Sequence, residues 1–224
     1  MIYFSKMNML YLRIPKTGST AFAAFLIENF YNSKDNNVLV DIPYTLNGKL
    51  IFSSDPSNPH PGLQYAIDHD ILLREDLHTT NVFAFVRNPL EKQLGLYLNR
   101  ISRTEGYSKA NPAEFRSLLK NGKGYISDHN PRHSVPQHTF FEVDGEMHGT
   151  PYSYNSIDLV AADFLLKSEK KIPLKKINVT DKPRSTADLM EEYYDHKTYS
   201  FMRDVHEKDF ELFELAEKNS KKMN

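Results

Sequence analysis

Apolar residues gather in a first strand-and-helix unit near the start of the chain. Residues 9–14 are apolar except for Arg13, which predicts a largely buried strand. A tight turn at residues 15–18 follows, and a helix is predicted from about residue 19 to residue 31. The apolar positions of this helix have the spacing i, i+3, i+4, i+8 and are Phe22, Phe25, Leu26 and Phe30.

A second unit of the same kind occupies residues 81–101. Residues 81–86 (Asn-Val-Phe-Ala-Phe-Val) predict a buried strand that ends at Arg87. A helix is predicted to begin at once, because Asn88 suits the N-cap and Pro89 the first helical position. Glu91, three residues after the cap, completes a capping box.

Shorter patterns supply the other predicted elements. Helices are predicted near residues 63–69, 112–119 and 197–218, and extended pieces near residues 38–42, 49–52 and 176–179. Apart from its one helix, the stretch 104–155 is expected to be rich in loops. Strands that alternate with helices predict an α/β fold, in which one domain over residues 1–224 has a central parallel sheet flanked by helices.

Composition narrows the classes of partner and site. The net charge is −1, so we expect no general attraction to nucleic acid, and any anion site must be local. The chain has no cysteine, which excludes disulfides, thiolate metal sites and cysteine nucleophiles. The longest apolar run, residues 21–27, is too short to span a membrane, and Arg13, Pro15 and Lys16 interrupt any secretory pattern. We therefore expect a soluble cytoplasmic protein, with its oligomeric state left open.

The turn after the first strand has the chemistry of an anion site. The first N–H groups of a helix are unpaired and its dipole attracts negative charge. Lys16 adds a full positive charge, Ser19 and Thr20 add hydroxyl donors, and Gly18 permits close approach of the backbone. A plain turn capped by Ser19 is one alternative. An ATP-binding loop is another, but its lysine follows a second glycine, whereas Lys16 precedes a single one.

Two motifs together resemble a known enzyme family. Residues 13–20 (Arg-Ile-Pro-Lys-Thr-Gly-Ser-Thr) are similar to the 5′-phosphosulfate loop of sulfotransferases that use 3′-phosphoadenosine 5′-phosphosulfate (PAPS), closest to the carbohydrate branch. Residues 85–92 (Phe-Val-Arg-Asn-Pro-Leu-Glu-Lys) resemble the 3′-phosphate motif of the same family. The resemblance implies a three-layer, P-loop-like sulfotransferase fold and no requirement for a metal.

The resemblance also implies how PAPS would be held. Lys16 would contact the 5′-phosphate and the bridging oxygen, while the rest of the loop, from Pro15 through Thr17, Gly18, Ser19 and Thr20, would surround the phosphate. Arg87 would hold the 3′-phosphate through its planar fork of donors. The chain departs from the family at Gly95, where a phosphate-binding serine is typical, and at Lys92, where a second arginine is typical.

The base and the acceptor site are predicted by position. Between the two motifs, His60 resembles the family's base, with His69 as the reserve candidate. His133 and Gln137 resemble an acceptor-site segment, and Lys182 and Arg184 belong to a late loop predicted to close over the nucleotide. Asp209 lies on the apolar face of the last predicted helix, where a carboxylate needs a buried partner.

The sequence thus predicts transfer of a sulfuryl group from PAPS to a hydroxyl of a small molecule or glycan, with His60 as the base. Two other functions remain open from the residues. One is a nucleotide-dependent phosphotransferase, and the other is a nucleotide- or carbohydrate-binding protein without turnover.

Overall fold

A computed structural model describes residues 1–31, 34–35, 38–39, 44–46, 49–51, 60–126, 131–175 and 185–223. The central sheet has five strands in the order β3-β1-β2-β6-β9. These strands are β1 (Ile2–Phe4), β2 (Met9–Tyr11), β3 (Val38–Leu39), β6 (Asn81–Val86) and β9 (Thr150–Ser153). Two small hairpins lie outside it: β4 (Tyr44–Leu46) with β5 (Lys49–Ile51), and β7 (Glu142–Val143) with β8 (Glu146–Met147).

The sheet is mixed, which corrects the prediction of a parallel sheet. β2, β6 and β9 are parallel to one another, whereas β1 is antiparallel to both β2 and β3. The cause is the short connection between β1 and β2, a single 3-10 turn that ends at Asn8 in the left-handed region with φ 45°. So short a link can join only antiparallel neighbours.

The helices of the described chain follow in sequence order. They are α1 (Ser19–Phe30), α2 (Leu63–Asp68), α3 (Pro89–Thr104), α4 (Pro112–Asn121), α5 (Ile157–Lys167), α6 (Thr186–Tyr193), α7 (His196–Val205) and α8 (Glu207–Lys221). In the part of the chain that the structure describes, none is long and apolar enough to cross a bilayer.

Helices flank both faces of the sheet, and β6 shows how the sequence produces this arrangement. Successive side chains of a strand point to opposite faces. Phe83 and Phe85 pack with α1 and α5, whereas Val82, Ala84 and Val86 pack with α2 and α8; the two apolar clusters are separate. A strand buried on both faces therefore appears in the sequence as a continuous apolar run.

Several predicted elements are confirmed, two differ, and one lies outside the described residues. The helices that start at Ser19 and Pro89 have the predicted beginnings, and Asn88 caps α3 by accepting a hydrogen bond from the Leu90 N–H. β9 lies in the stretch expected to be loops. The predicted last helix is two helices, α7 and α8, that meet at His206. The strand predicted at residues 176–179 lies outside the described residues.

Candidate functional site

The candidate site lies at one edge of the sheet. Because β2, β6 and β9 run parallel, their carboxyl ends meet at that edge. The segment with Lys16 follows β2, Arg87 directly follows β6, and Tyr154 directly follows β9. The parallel pairing therefore brings the two predicted anchors to neighbouring strand ends.

The loop from residue 15 to residue 20 is a tight turn with two left-handed residues. Gly18 has φ 70° and caps α1, while Lys16 has φ 65°, which is uncommon for a residue with a side chain. Thr17 is fully buried, and its Oγ1 donates to the Ile14 carbonyl at 2.8 Å. The Thr17 hydroxyl therefore shapes the turn, and only the Thr17 backbone remains to contact a phosphate.

Tyr154 connects the two anchors, although no pattern in the sequence predicted it. A Cβ at Gly18 would lie 2.7 Å from Tyr154 Cε2, so the ring packs directly on the loop. The same ring lies 5.3 Å from the Arg87 guanidinium carbon, within the range of a cation–π contact. A side chain at Gly18 is thus excluded by Tyr154 as well as by φ.

Arg87 is held at two places, its side chain and its backbone, and the side-chain contact is with Glu91. Its Nε donates to Glu91 Oε2 at 3.2 Å, one helical turn further along α3. A Cβ at Gly95 would lie 3.4 Å from Arg87 Nη1, so the position of the missing family serine faces this guanidinium. Gly95 therefore lies directly beside the side chain of Arg87, one of the two predicted anchors.

Gln137 differs from its predicted role in acceptor binding. It is fully buried, its Oε1 accepts the Arg87 N–H at 2.9 Å, and its Nε2 donates to the Arg87 carbonyl at 2.7 Å. The Gln137 N–H donates in turn to Asp209 Oδ2 at 2.9 Å. In this structure, Gln137 supports Arg87 from behind and is not exposed to an acceptor.

Asp209 has the buried partners that its position in the sequence required. Its carboxylate is 2% exposed and accepts from the His138 N–H at 2.9 Å and from His138 Nδ1 at 2.7 Å. Burial alone would raise the pKa of Asp209. The hydrogen bond from His138, the His206 ring with its Nδ1 3.8 Å from Asp209 Oδ2, the charge of Lys92 and the Gln137 N–H together hold this pKa well below its usual range. Asp209 is therefore an ionised structural group.

Lys92 belongs to the same buried network. It is 1% exposed, and its Nζ donates to the Val135 carbonyl at 2.7 Å. Burial lowers the pKa of Lys92 to about 8, although the charge of Asp209 acts in the opposite direction. Lys92, the second position that departs from the motif, thus lies behind the site, near the Val135 carbonyl and the Asp209 carboxylate.

The predicted base, His60, lies beside Arg13 and His133. The rings of His60 and His133 are 5.5 Å apart, and the His60 ring hydrogen-bonds to the Arg13 backbone. Arg13 is 4% exposed, and its Nη2 donates to Thr20 Oγ1 at 3.4 Å. Arg13 therefore links the histidine pair to the first turn of α1.

Burial, together with neighbouring positive charge, favours the neutral form of His60. Burial is the main cause that lowers the pKa of His60, to about 3, and the charges of Arg13 and His133 add to it. At neutral pH the ring therefore carries one N–H, and its other nitrogen keeps a lone pair that can accept a proton.

The remaining predicted site residues are His69, Lys182 and Arg184. His69 is exposed at the end of α2, where its ring stacks on Tyr65 with centroids 3.8 Å apart. Lys182 and Arg184 lie outside the described residues. Within the described ranges, no group of three or more His, Asp or Glu side chains is arranged to hold a metal ion.

Comparison with family models, curated proteins and solved structures finds no match to this chain. Its function is therefore inferred from the geometry and chemistry of the site.

The strained backbone at Lys16 predicts a difference between two variants. Lys16→Gly and Lys16→Ala both remove the ammonium group, but only glycine adopts φ 65° without steric cost. We expect the glycine variant to be more stable than the alanine variant by about 0.5–1 kcal/mol. Urea unfolding of both variants measures this difference, and equal stabilities would show that the turn relaxes.

The low pKa of His60 predicts sensitivity of folding to acid. An unfolded histidine titrates near pH 6.5, so between about pH 6.5 and pH 3 the unfolded chain binds a proton that the folded chain excludes. Stability is therefore complete above this window and falls as the pH falls through it. Between pH 7 and pH 5 we expect wild type to lose on the order of 1–2 kcal/mol more than His60→Asn. Urea unfolding at both pH values tests this, and identical losses would contradict it.

Proposed function

We propose that this protein transfers a sulfuryl group from PAPS to a hydroxyl of an acceptor, with a carbohydrate as the favoured class. The observation that carries the proposal is the pair of cationic anchors on neighbouring parallel strand ends, joined by Tyr154. A nucleotide with phosphate groups at both ends of its ribose needs two such anchors. The loop would take the 5′-phosphosulfate, and Arg87 the 3′-phosphate.

The chemistry of the step requires few groups. The acceptor oxygen forms a bond to sulfur as the bond between sulfur and the bridging phosphate oxygen breaks, and 3′,5′-adenosine bisphosphate leaves. Lys16 and the first N–H groups of α1 would stabilise the charge that develops on the leaving phosphate. The acceptor's proton would pass to His60, with His133 beside it as a candidate contact for the acceptor.

The environment of His60 supports this role when the anion is bound. A base with a pKa of about 3 is available at neutral pH but weak. A phosphosulfate on the loop would bring negative charge close to Arg13, and its field would oppose that of the guanidinium at His60. The bound co-substrate would thus raise the pKa of the base that it requires.

Nucleotide binding provides the first test. We expect 3′,5′-adenosine bisphosphate to bind at least about tenfold more tightly than AMP, because a charge-assisted phosphate contact is worth more than 1 kcal/mol. Arg87→Ala should remove this preference, and Lys16→Ala should weaken both ligands. Isothermal titration measures all three, and a titration with Mg-ATP is run beside them.

Equal binding of bisphosphate and AMP would overturn the proposal, and preferential binding of Mg-ATP would favour a phosphotransferase. Where the bisphosphate is preferred, sulfate transfer from PAPS to a panel of hydroxyl acceptors separates an enzyme from a binding protein. Lys16→Ala and His60→Ala should then both lose transfer.

The Gly95 departure allows a gain-of-affinity experiment. Gly95→Ser restores the family's hydroxyl, and its Cβ would lie at van der Waals distance, 3.4 Å, from Arg87 Nη1. We expect this variant to bind 3′,5′-adenosine bisphosphate severalfold more tightly, with AMP affinity unchanged. Gly95→Ala is the matched control, because it adds the Cβ without the hydroxyl. Equal gains in both variants would assign the effect to helix propensity and not to phosphate contact.

A further inference from the structure

Arg87 lies just beyond the hydrogen-bonded part of its strand. The last aligned pair between β6 and β9 is Val86 with Ser153, so the strand pairing ends one residue before Arg87. Another group must hold the Arg87 backbone if the side chain is to start from a fixed position.

The Gln137 side chain replaces the missing neighbouring strand. Its amide pairs with both backbone groups of Arg87, accepting from the N–H at 2.9 Å and donating to the carbonyl at 2.7 Å. The orientation of the amide is fixed by these partners, because an N–H requires the Gln137 oxygen and a carbonyl requires its nitrogen. A methionine of similar length offers no such donor, and an ionised glutamate offers acceptors only.

Gln137 is itself anchored to a different element. Asp209 of α8 accepts the Gln137 N–H through Oδ2 and holds the next residue, His138, through its N–H and its ring nitrogen. Gln137 is fully buried and Asp209 is 2% exposed, so solvent does not compete for these bonds. A continuous path of hydrogen bonds therefore runs from α8 to the backbone of Arg87.

We propose that Gln137 is a positioning residue for Arg87, kept in place by Asp209, and that it determines the preference of the site for a ligand with a 3′-phosphate. The inference rests on the proposed function. Its physical basis is that a planar guanidinium fork binds phosphate well only in one orientation, which depends on where the Arg87 Cα lies. The phosphate loop has further supports of its own, since the Thr17 hydroxyl bonds to the Ile14 carbonyl and the Tyr154 ring packs on Gly18.

Two matched variants test the proposal. Gln137→Met removes the amide at nearly constant volume. Gln93→Met makes the same change at another buried glutamine, which is 1% exposed and whose Oε1 accepts the Ile126 N–H at 2.8 Å. Gln93 thus controls for the general cost of deleting a buried amide, since it supports Ile126 and not Arg87.

The readout is the ratio of the affinities for 3′,5′-adenosine bisphosphate and AMP, from isothermal titration. We expect Gln137→Met to lower this ratio about tenfold with AMP affinity nearly unchanged, and Gln93→Met to leave the ratio at its wild-type value. A purely structural role of Gln137 would instead weaken both ligands together or neither of them.

The possible outcomes separate the positioning role of Gln137 from the proposed function of the protein. A wild-type ratio above one that survives Gln137→Met would overturn the positioning role and leave the proposed function intact. A wild-type ratio near one would overturn the proposed function and, with it, the assignment of Gln137 to phosphate binding.

A second variant and a second measurement cover the case in which Gln137→Met does not fold. Gln137→Glu keeps an acceptor for the Arg87 N–H but, when ionised, sets an oxygen against the Arg87 carbonyl, so its ratio should fall below the wild-type value. Amide hydrogen exchange at the Arg87 N–H, followed by NMR without ligand, should speed up in the Gln137 variants and not in Gln93→Met. Unchanged exchange at Arg87 would overturn the positioning role independently of any nucleotide.

Discussion

The parallel pairing of β2 with β6 is the constraint on which the rest of the site depends. It sets Met9 opposite Asn81 and Tyr11 opposite Phe83, so both strands end at the same edge of the sheet. The chain leaves one strand into a turn before α1 and the other into the cap of α3. Two cationic segments about 70 residues apart in sequence thereby become neighbours. Antiparallel pairing would have placed them at opposite edges.

The edge of the sheet brings the two cationic segments together but does not orient them. A layer of buried polar residues behind that edge orients them. Asp209, Lys92 and Gln137 are each no more than 2% exposed, yet their hydrogen bonds satisfy one another or nearby backbone groups. A buried ion pair is a poor source of stability, because desolvation offsets the attraction. Such a network instead favours one conformation over its alternatives. Here it favours one position of the Arg87 backbone.

Local sequence patterns predicted the strands and helices that carry the site. They did not predict the contacts between residues that lie far apart in the sequence. The starts of α1 and α3 follow from apolar spacing and from the capping chemistry of Asn88, which involve only neighbouring residues. β9 is four residues long and contains a proline, so it has no apolar run to reveal it. Tyr154 was missed with it. Gln137 was assigned to the acceptor because its partners, Arg87 and Asp209, lie 50 and 72 positions away.

The two departures from the sulfotransferase motif have different physical consequences. Lys92 is 1% exposed and lies near the Val135 carbonyl and the Asp209 charge. An arginine there would need partners for five N–H groups instead of three in the same buried space. The buried network explains the lysine at this position, so this departure does not indicate which nucleotide the site would bind. Gly95 instead faces Arg87 Nη1, where in the proposed function a hydroxyl would share the phosphate. Under that proposal, affinity for a 3′-phosphate would depend on Arg87 alone more than the family pattern implies, which would make the support of its backbone by Gln137 more important.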